Sequence, residues 1–362
     1  MKKNLGRLFY AATLVGGVAA AMVIILYSAF YGKAVDAEKV IYIDKATQYS
    51  EIIEQLRPSL RSKLHQRAFD FYAERLNLEE RFRTGRYLFG EGESVIRAVR
   101  RLVLGEQTAV KLVVGEARTL PQLAGKLSNQ IAADSATLLS AMRNKQLRKE
   151  LGFVKDSTIA MFVPNTYEVY WDITPEKLLH RIKREYDRFW SAERTAKLER
   201  CKLSKYEVMT LASIVYEETK IPAEMRMIAG VYINRLRGKI ALGACPTIKY
   251  AMGDFELKRI LHKHLTYRSP FNTYINSGLP PAPICVPSIE AIDAVLNYSE
   301  HKYLYFCARP ELDGRHNFAR TLKEHNANAQ KYAKAIDKLR IENEELYIVI
   351  ARLVISRGNL QH

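Results

Sequence analysis

The residues best placed to do chemistry in this chain close one segment, SKYEVMTLASIVYEET, which begins at Ser204. Ser204 and Glu207 make a Ser-x-x-Glu pair, the signature of a capping box that opens a helix. Val208, Leu211, Ala212, Ile214 and Val215 then follow as an apolar stripe. At about 100° per residue, Glu218 falls at the edge of that stripe, while Glu217 points nearly the opposite way. A carboxyl beside apolar surface loses hydration, so its pKa rises and it can keep a proton near neutral pH. A general acid needs that property. The structural alternative is that Glu218 caps the helix or pairs with Arg226 or Arg235.

The stretches that follow are rich in turns and polar tips: YINRL at 232–236, ACPTIKYAMGD at 244–254 and SPFNTYINSGLPPAPI at 269–284. Pro270, Gly278, Pro280, Pro281 and Pro283 predict a long loop there, the usual seat of binding residues. Tyr and Asn together suit sugars, whose ring faces stack on aromatics and whose hydroxyls bond to amides. His262 and His264 have no acidic partners at metal-ligand spacing and read as surface histidines. Cys201, Cys245, Cys285 and Cys307 contain no C-x-x-C pair, which argues against a zinc ribbon. In an oxidising compartment Cys245 and Cys285 are the best-placed pair, with four separate thiols as the alternative.

The chain that must position these groups has 362 residues, enough for about two domains. Lys plus Arg is 56 against 39 Asp plus Glu, a net charge of +17, which favours a polyanionic partner. From Leu8 to Tyr31 the sequence carries no charge, and as a helix it is long enough to cross a bilayer. This exceeds the apolar core of a signal peptide, so it reads as a retained anchor. Lys2, Lys3 and Arg7 precede it, and Asp36 and Glu38 follow Lys33, so the N-terminus is expected in the cytoplasm and residues 33–362 outside. Nucleic acid then loses its appeal as the partner, and a wall polymer or the outer membrane face gains it.

Residues 39–132 read as three extended-run-plus-helix units: KVIYID with YSEIIEQL, GRYLFG with VIRAVRRLVLG, and VKLVVG with PQLAGKLSNQ. A further helix is expected over roughly 60–78, and Arg100 and Arg101 read as a solvated helix face. Residues 134–200 are helix-rich, with a turn at Pro164-Asn165, a short aromatic strand, and Thr174 as an N-cap before Pro175. In the tail, Tyr332, Ile336, Leu339, Leu346, Ile350 and Leu353 fit a short heptad seam with Asn343 in its gap. Such a seam would dimerise the outer domain. A helix packed on its own domain or lying on a membrane is the competing reading.

The set LASIVYEET, IAGVYINRL, CPTIKYAMGD, SPFNTYINSGLPPAPI and YLYFCARPELDGRHNFARTLKEHN resembles the endolytic murein transglycosylase family (MltG, YceG-like) over about 150–332. Upstream, RTGRYLFGEGESVIRAVRRLVLGE is similar to that family's LysM-like region, and MFVPNTY to its Pro-Asp-Thr-Tyr segment. The resemblance implies an α+β fold: an anchor over 1–35, a small LysM-like α/β module over 36–133, a helix-rich catalytic domain with long loops over 134–333, and a helical tail over 334–362. It implies a metal-free, cofactor-free lyase in the inner membrane, single-pass, with its catalytic domain in the periplasm. The enzyme would cut the bond between N-acetylmuramic acid and N-acetylglucosamine within glycan strands and leave 1,6-anhydro ends, terminating nascent strands. Peptidoglycan and cell-wall synthases are the implied partners.

The family's catalytic glutamate precedes a threonine at the end of the LASIV helix, which here is Glu218 before Thr219. Asn272 and Tyr274 are the leading candidates for holding sugar, followed by Thr247 and Asn234, the last with a structural bond to the following loop as its alternative role. Tyr216 stands where the family often has a second glutamate, and two departures matter: Gly243 and Cys245 stand where the family commonly has Gln and Asp, and the tail after about Ala333 extends past the family's usual end. A non-catalytic wall-binding scaffold is the competing class. A water-using muramidase is another, with Glu224, Asp254 or Glu256 as its second carboxylate.

Overall fold

The computed structural model describes residues 2–153, 158–257 and 260–358. Along the chain run α1 (Lys2–Tyr31), β1 (Lys39–Ile43), α2 (Tyr49–Leu56), α3 (Lys63–Arg75), α4 (Leu78–Arg81), β2 (Gly85–Phe89), α5 (Val95–Leu104) and β3 (Val110–Val114). Then come α6 (Leu120–Ser128), α7 (Ser135–Arg143), α8 (Lys145–Glu150), β4 (Asn165–Val169), α9 (Pro175–Phe189) and α10 (Ala192–Cys201). The remainder is α11 (Lys205–Glu218), α12 (Pro222–Arg237), α13 (Cys245–Met252), α14 (His262–Leu265), α15 (Ile289–Leu296), β5 (Tyr305–Ala308), β6 (His316–Ala319) and α16 (Leu322–Gly358). The fold is helix-rich, and its strands form two-stranded sheets: β1 with β2, β3 with β4, and β5 with β6.

Packing divides the chain into two compact units: Met1–Val113 with Gly125–Leu138 and Thr166–Leu178, and Val114–Ala124 with Leu139–Asn165 and Leu179–His362. In the first, β1 and β2 pair antiparallel with Ile41 opposite Tyr87. Strand alternation drives Ile41, Ile43, Tyr87 and Phe89 inward and leaves Tyr42 exposed against Trp171. Helix α5 covers them with Val95, Ala98, Val99, Leu102 and Val103. Ser94 caps its start, and Gly105 at φ +71° ends it in the left-handed turn that glycine adopts without strain. Arg100 is exposed as expected, but Arg101 is not solvated. Its guanidinium turns inward to the Leu88 carbonyl and lies 3.5 Å from Glu93.

Helix α1 carries the expected apolar span over Tyr10–Tyr31, with mean hydropathy 2.1. Leu14, Val15, Val23 and Ile24 stand exposed along it, whereas Ala29 and Phe30 in its last turn join the core of this unit. The Phe30 ring meets Phe71 and Tyr72 edge-on.

The second unit is built around α11. Val208 to Tyr216 are all buried, so the helix is enclosed on every side rather than striped. It packs on α12, α13 and α15. Its buried Thr210 and Ser213 hydroxyls are satisfied: Thr210 donates to the Tyr206 carbonyl, and Ser213 donates to the Thr210 carbonyl and accepts from the Ile284 amide. Gly230 on α12 lets the Ser299–His301 segment approach, since a methyl there would meet the Ser299 carbonyl and the His301 ring.

Candidate active site

The capping box forms as the spacing requires: the Glu207 amide donates to Ser204 Oγ, and the Ser204 amide donates to the Glu207 carboxylate. With the start of α11 pinned there, Glu218 becomes its last residue. Thr219 then turns the chain, its hydroxyl accepting from the Ile221 amide, and Pro222 opens α12. The return path sets Tyr232 against Glu218, and its hydroxyl donates to the Glu218 carboxylate over 2.7 Å. The Tyr232 ring is buried. Burial and the adjacent carboxylate keep its phenol well above the ordinary value, so it stays a donor.

Burial likewise pushes the Glu218 carboxyl up, and Glu217 adds to the effect. The Tyr232 hydrogen bond, His316 and Lys249 oppose it without reversing the direction. The negative end of the α11 dipole also disfavours the carboxylate. No described ion pair involves Glu218, and Arg235 instead binds the carbonyls of Leu304, Ala241 and Leu242. The capping or Arg-paired reading of Glu218 therefore gives way to a desolvated carboxyl held by a tyrosine. Sequence reasoning missed Tyr232, although it lies within the quoted YINRL.

Glu218 opens onto two cavities. One, of about 190 Å³, is lined by Arg118, Glu217, Lys249, Tyr250 and Phe255. The other, of about 600 Å³, is lined by Tyr232, Arg235, Tyr274, Tyr305 and His316. Cys245 and Glu218 belong to both.

Glu217 is a correction to the helical-wheel reading. It does not face away but lines the smaller cavity, where both Arg118 Nε and its terminal nitrogen hold it at 3.2 and 3.1 Å. Arg118 lies 99 positions upstream and also stacks over Phe255, so helical spacing could not reveal it.

The four expected sugar-binding residues separate. Tyr274 lines the larger cavity, its hydroxyl 3.3 Å from Cys245 Sγ. Asn272 is fully buried: its amide donates to the Leu265 and Tyr267 carbonyls, and its oxygen accepts from the Tyr274 amide. Thr247 is also buried, donating to the Ala244 carbonyl and meeting the Thr273 hydroxyl at 2.9 Å. Asn234 bonds the carbonyls of His301 and Tyr303, a structural role whose partner segment is distant rather than the following loop. Asn272, Thr247 and Asn234 thus brace the loops around the site through bonds to backbone and to Thr273.

The cysteines are all free. Cys285 turns to the Ser213 carbonyl and Cys245 to Tyr274, so the Cys245–Cys285 pairing is not formed. His264 caps the Leu261 amide through Nδ1, and His262 is exposed. Asp254 and Glu256 are exposed, and Glu224 is engaged by His316.

The chain belongs to the YceG-like family, whose model matches residues 41–331. It is 28% identical over 283 residues to the endolytic murein transglycosylase of Bacillus subtilis (strain 168), covering 74% of this chain and 77% of that protein. Against the endolytic murein transglycosylase of Streptococcus pneumoniae serotype 2 it is 26% identical over 301 residues, covering 75% of this chain and 54% of that longer protein. The 2.6 Å crystal structure of a yceG-like protein from Listeria monocytogenes superposes with a TM-score of 0.52 at 25% identity, covering 81% of this chain and 99% of that one.

Proposed function

We propose that this protein is a membrane-anchored lytic transglycosylase that cuts peptidoglycan within its glycan strands, with Glu218 as general acid and base. The observation that carries the reading is the Glu218 carboxyl itself, desolvated, held by Tyr232 and shared by two cavities. A strand cut internally must extend both ways from the broken bond, and two cavities meeting at one acid suit that demand. A wall-binding scaffold would need no desolvated carboxyl at such a junction.

In the proposed reaction the Glu218 proton passes to the glycosidic oxygen between N-acetylmuramic acid and N-acetylglucosamine. The C1–O bond breaks through an oxocarbenium-like transition state. The muramyl 6-hydroxyl oxygen then bonds to C1 and closes the 1,6-anhydro ring. Its proton returns to the Glu218 carboxylate, so no water is consumed and the acid is regenerated. A water-using route calls for a second free carboxylate across the bond. Glu224 is occupied by His316 and Glu217 by Arg118, which leaves the exposed Asp254 and Glu256 as the carboxylates such a route would have to recruit. Tyr274 serves as a stacking wall for sugar in the larger cavity. The basic N-terminal flank puts residues 33–362 outside the membrane, where the LysM-like region of 36–133 holds glycan and wall synthases are neighbours.

The test is mass spectrometry of purified glycan strands digested by the protein. Internal fragments with 1,6-anhydro ends are expected from the wild type, and none from Glu218→Gln. Reducing ends from the wild type would establish a hydrolase instead, and an undiminished Glu218→Gln would remove the acid assignment.

A further inference from the structure

His316 stands in the larger cavity with Glu218, and the residues around it are arranged to hold one ring in one orientation. Its backbone amide donates to Glu224 Oε1 over 2.8 Å, and its Nδ1 lies 2.9 Å from Oε2 of the same carboxylate. Glu224 is only 8% exposed, and both its oxygens are spent on this one residue. With Oε1 accepting the backbone amide, Oε2 is left to accept from Nδ1, which makes Nδ1 the ring's protonated atom. Nε2 has no hydrogen-bond partner among the described residues.

Phe306 locks the arrangement from the side. Its ring meets His316 edge-on at 5.3 Å and Tyr232 edge-on at 5.7 Å, so the imidazole and the phenol that holds Glu218 are set by one aromatic contact. Helix α12 supplies both orienting groups, Glu224 in its first turn and Tyr232 two turns on.

We propose that His316 is a second catalytic residue, which takes the proton of the attacking sugar hydroxyl through Nε2, and that Glu224 is the positioning residue that keeps Nε2 free to accept it. The inference rests on the lytic reading of the site. In the completed step Glu218 protonates the glycosidic oxygen and the C1–O bond breaks. The muramyl O6–H bond breaks as O6 bonds to C1, and that proton lands on Nε2. It then passes to the Glu218 carboxylate, which restores both groups. Holding the hydroxyl also excludes water from C1, so the dyad governs the identity of the product as well as the rate.

The experiment compares full-length wild type, His316→Gln and Glu224→Gln in detergent on purified glycan strands, reading kcat, KM and the ratio of anhydro to reducing ends. Glu224→Gln keeps the acceptor for the backbone amide, but its NH2 donates to Nδ1 and forces the proton onto Nε2. A brace would survive that change, whereas a base would not. Both variants are expected to lose about 100-fold in kcat with little change in KM, and His316→Gln to release a raised share of reducing ends. Wild-type kcat and purely anhydro ends in Glu224→Gln would overturn the proposal, and this holds even where His316→Gln does not fold. Loss of anhydro product in the wild type would instead strike the lytic reading itself.

Discussion

At the scale of single residues, Glu218 links pH to both rate and stability. In the proposed reaction its proton passes to the glycosidic oxygen, so activity is expected to fall on the alkaline side as pH passes its raised value. A rate still climbing through about pH 9 would contradict a carboxylic acid catalyst. For stability, burial holds the folded-state value above the ordinary 4.5. Between the two values the native state keeps a proton that the unfolded chain has released. The contribution is therefore full below the unfolded value and is lost as pH rises through the folded one. Glu218→Gln, which can still accept from Tyr232, is expected to have a higher Tm than the wild type at pH 8 and to match it near pH 4. Equal Tm differences at both pH values in calorimetry would refute the desolvation argument. Glu217 makes a partly exposed pair with Arg118, worth about 1 kcal/mol after solvent screening. Glu217→Gln should cost about fivefold in kcat/KM, measured on glycan strands, rather than being silent or fatal.

At the scale of elements, α11 and α12 together make the site, and their ends and contacts set its precision. Ser204→Ala removes the cap of α11 at a cost of about 1 kcal/mol, read as a lower urea midpoint with unchanged slope. The damage should be to stability rather than to kcat, since Glu218 lies at the far end of the helix. Gly230→Ala is expected to be harsher, about 1–3 kcal/mol, because its methyl strikes the Ser299 carbonyl, which is backbone and cannot swing aside. The same segment is tied by Asn234 and by the Ser299 amide to the Arg226 carbonyl. A neutral Gly230→Ala in denaturant unfolding would mean that this approach is looser than the geometry implies.

For the whole molecule, the open question of assembly lies in α16, a 37-residue helix. Its first part packs on β5 and β6. Farther along, Ile336, Leu339 and Ile341 are 40%, 39% and 55% exposed, so they do not fold back onto the domain. The seam positions Leu346, Ile350 and Leu353, and Asn343 in the gap, have side chains outside the described residues. The heptad spacing predicts a dimer held by this helix. Light scattering of residues 36–362 against 36–333 is expected to show a dimer that truncation converts to a monomer, and monomers in both samples would end the idea.

What could be read from sequence is what depends on neighbours in the chain. The capping box at Ser204 and Glu207, the strand–helix units from Lys39 onward, the N-cap at Thr174 and the apolar span of α1 are local patterns, and each forms as expected. Glu218 belongs with them, because a pinned helix start and a 3.6-residue turn carry its position forward to the helix end. The rest was decided by contacts that leave no local trace. Tyr232 reaches Glu218 across 14 residues, His316 reaches Glu224 across 92, and Arg118 reaches Glu217 across 99. Asn272, Thr247 and Asn234 have the right chemistry for sugar, yet each lies where a loop leaves backbone groups that need partners. A buried carbonyl or amide left without a partner is costly, so the side chains bond to the loops instead. Residue type sets what a side chain can bind, and only the folded chain determines which groups come close enough to claim it.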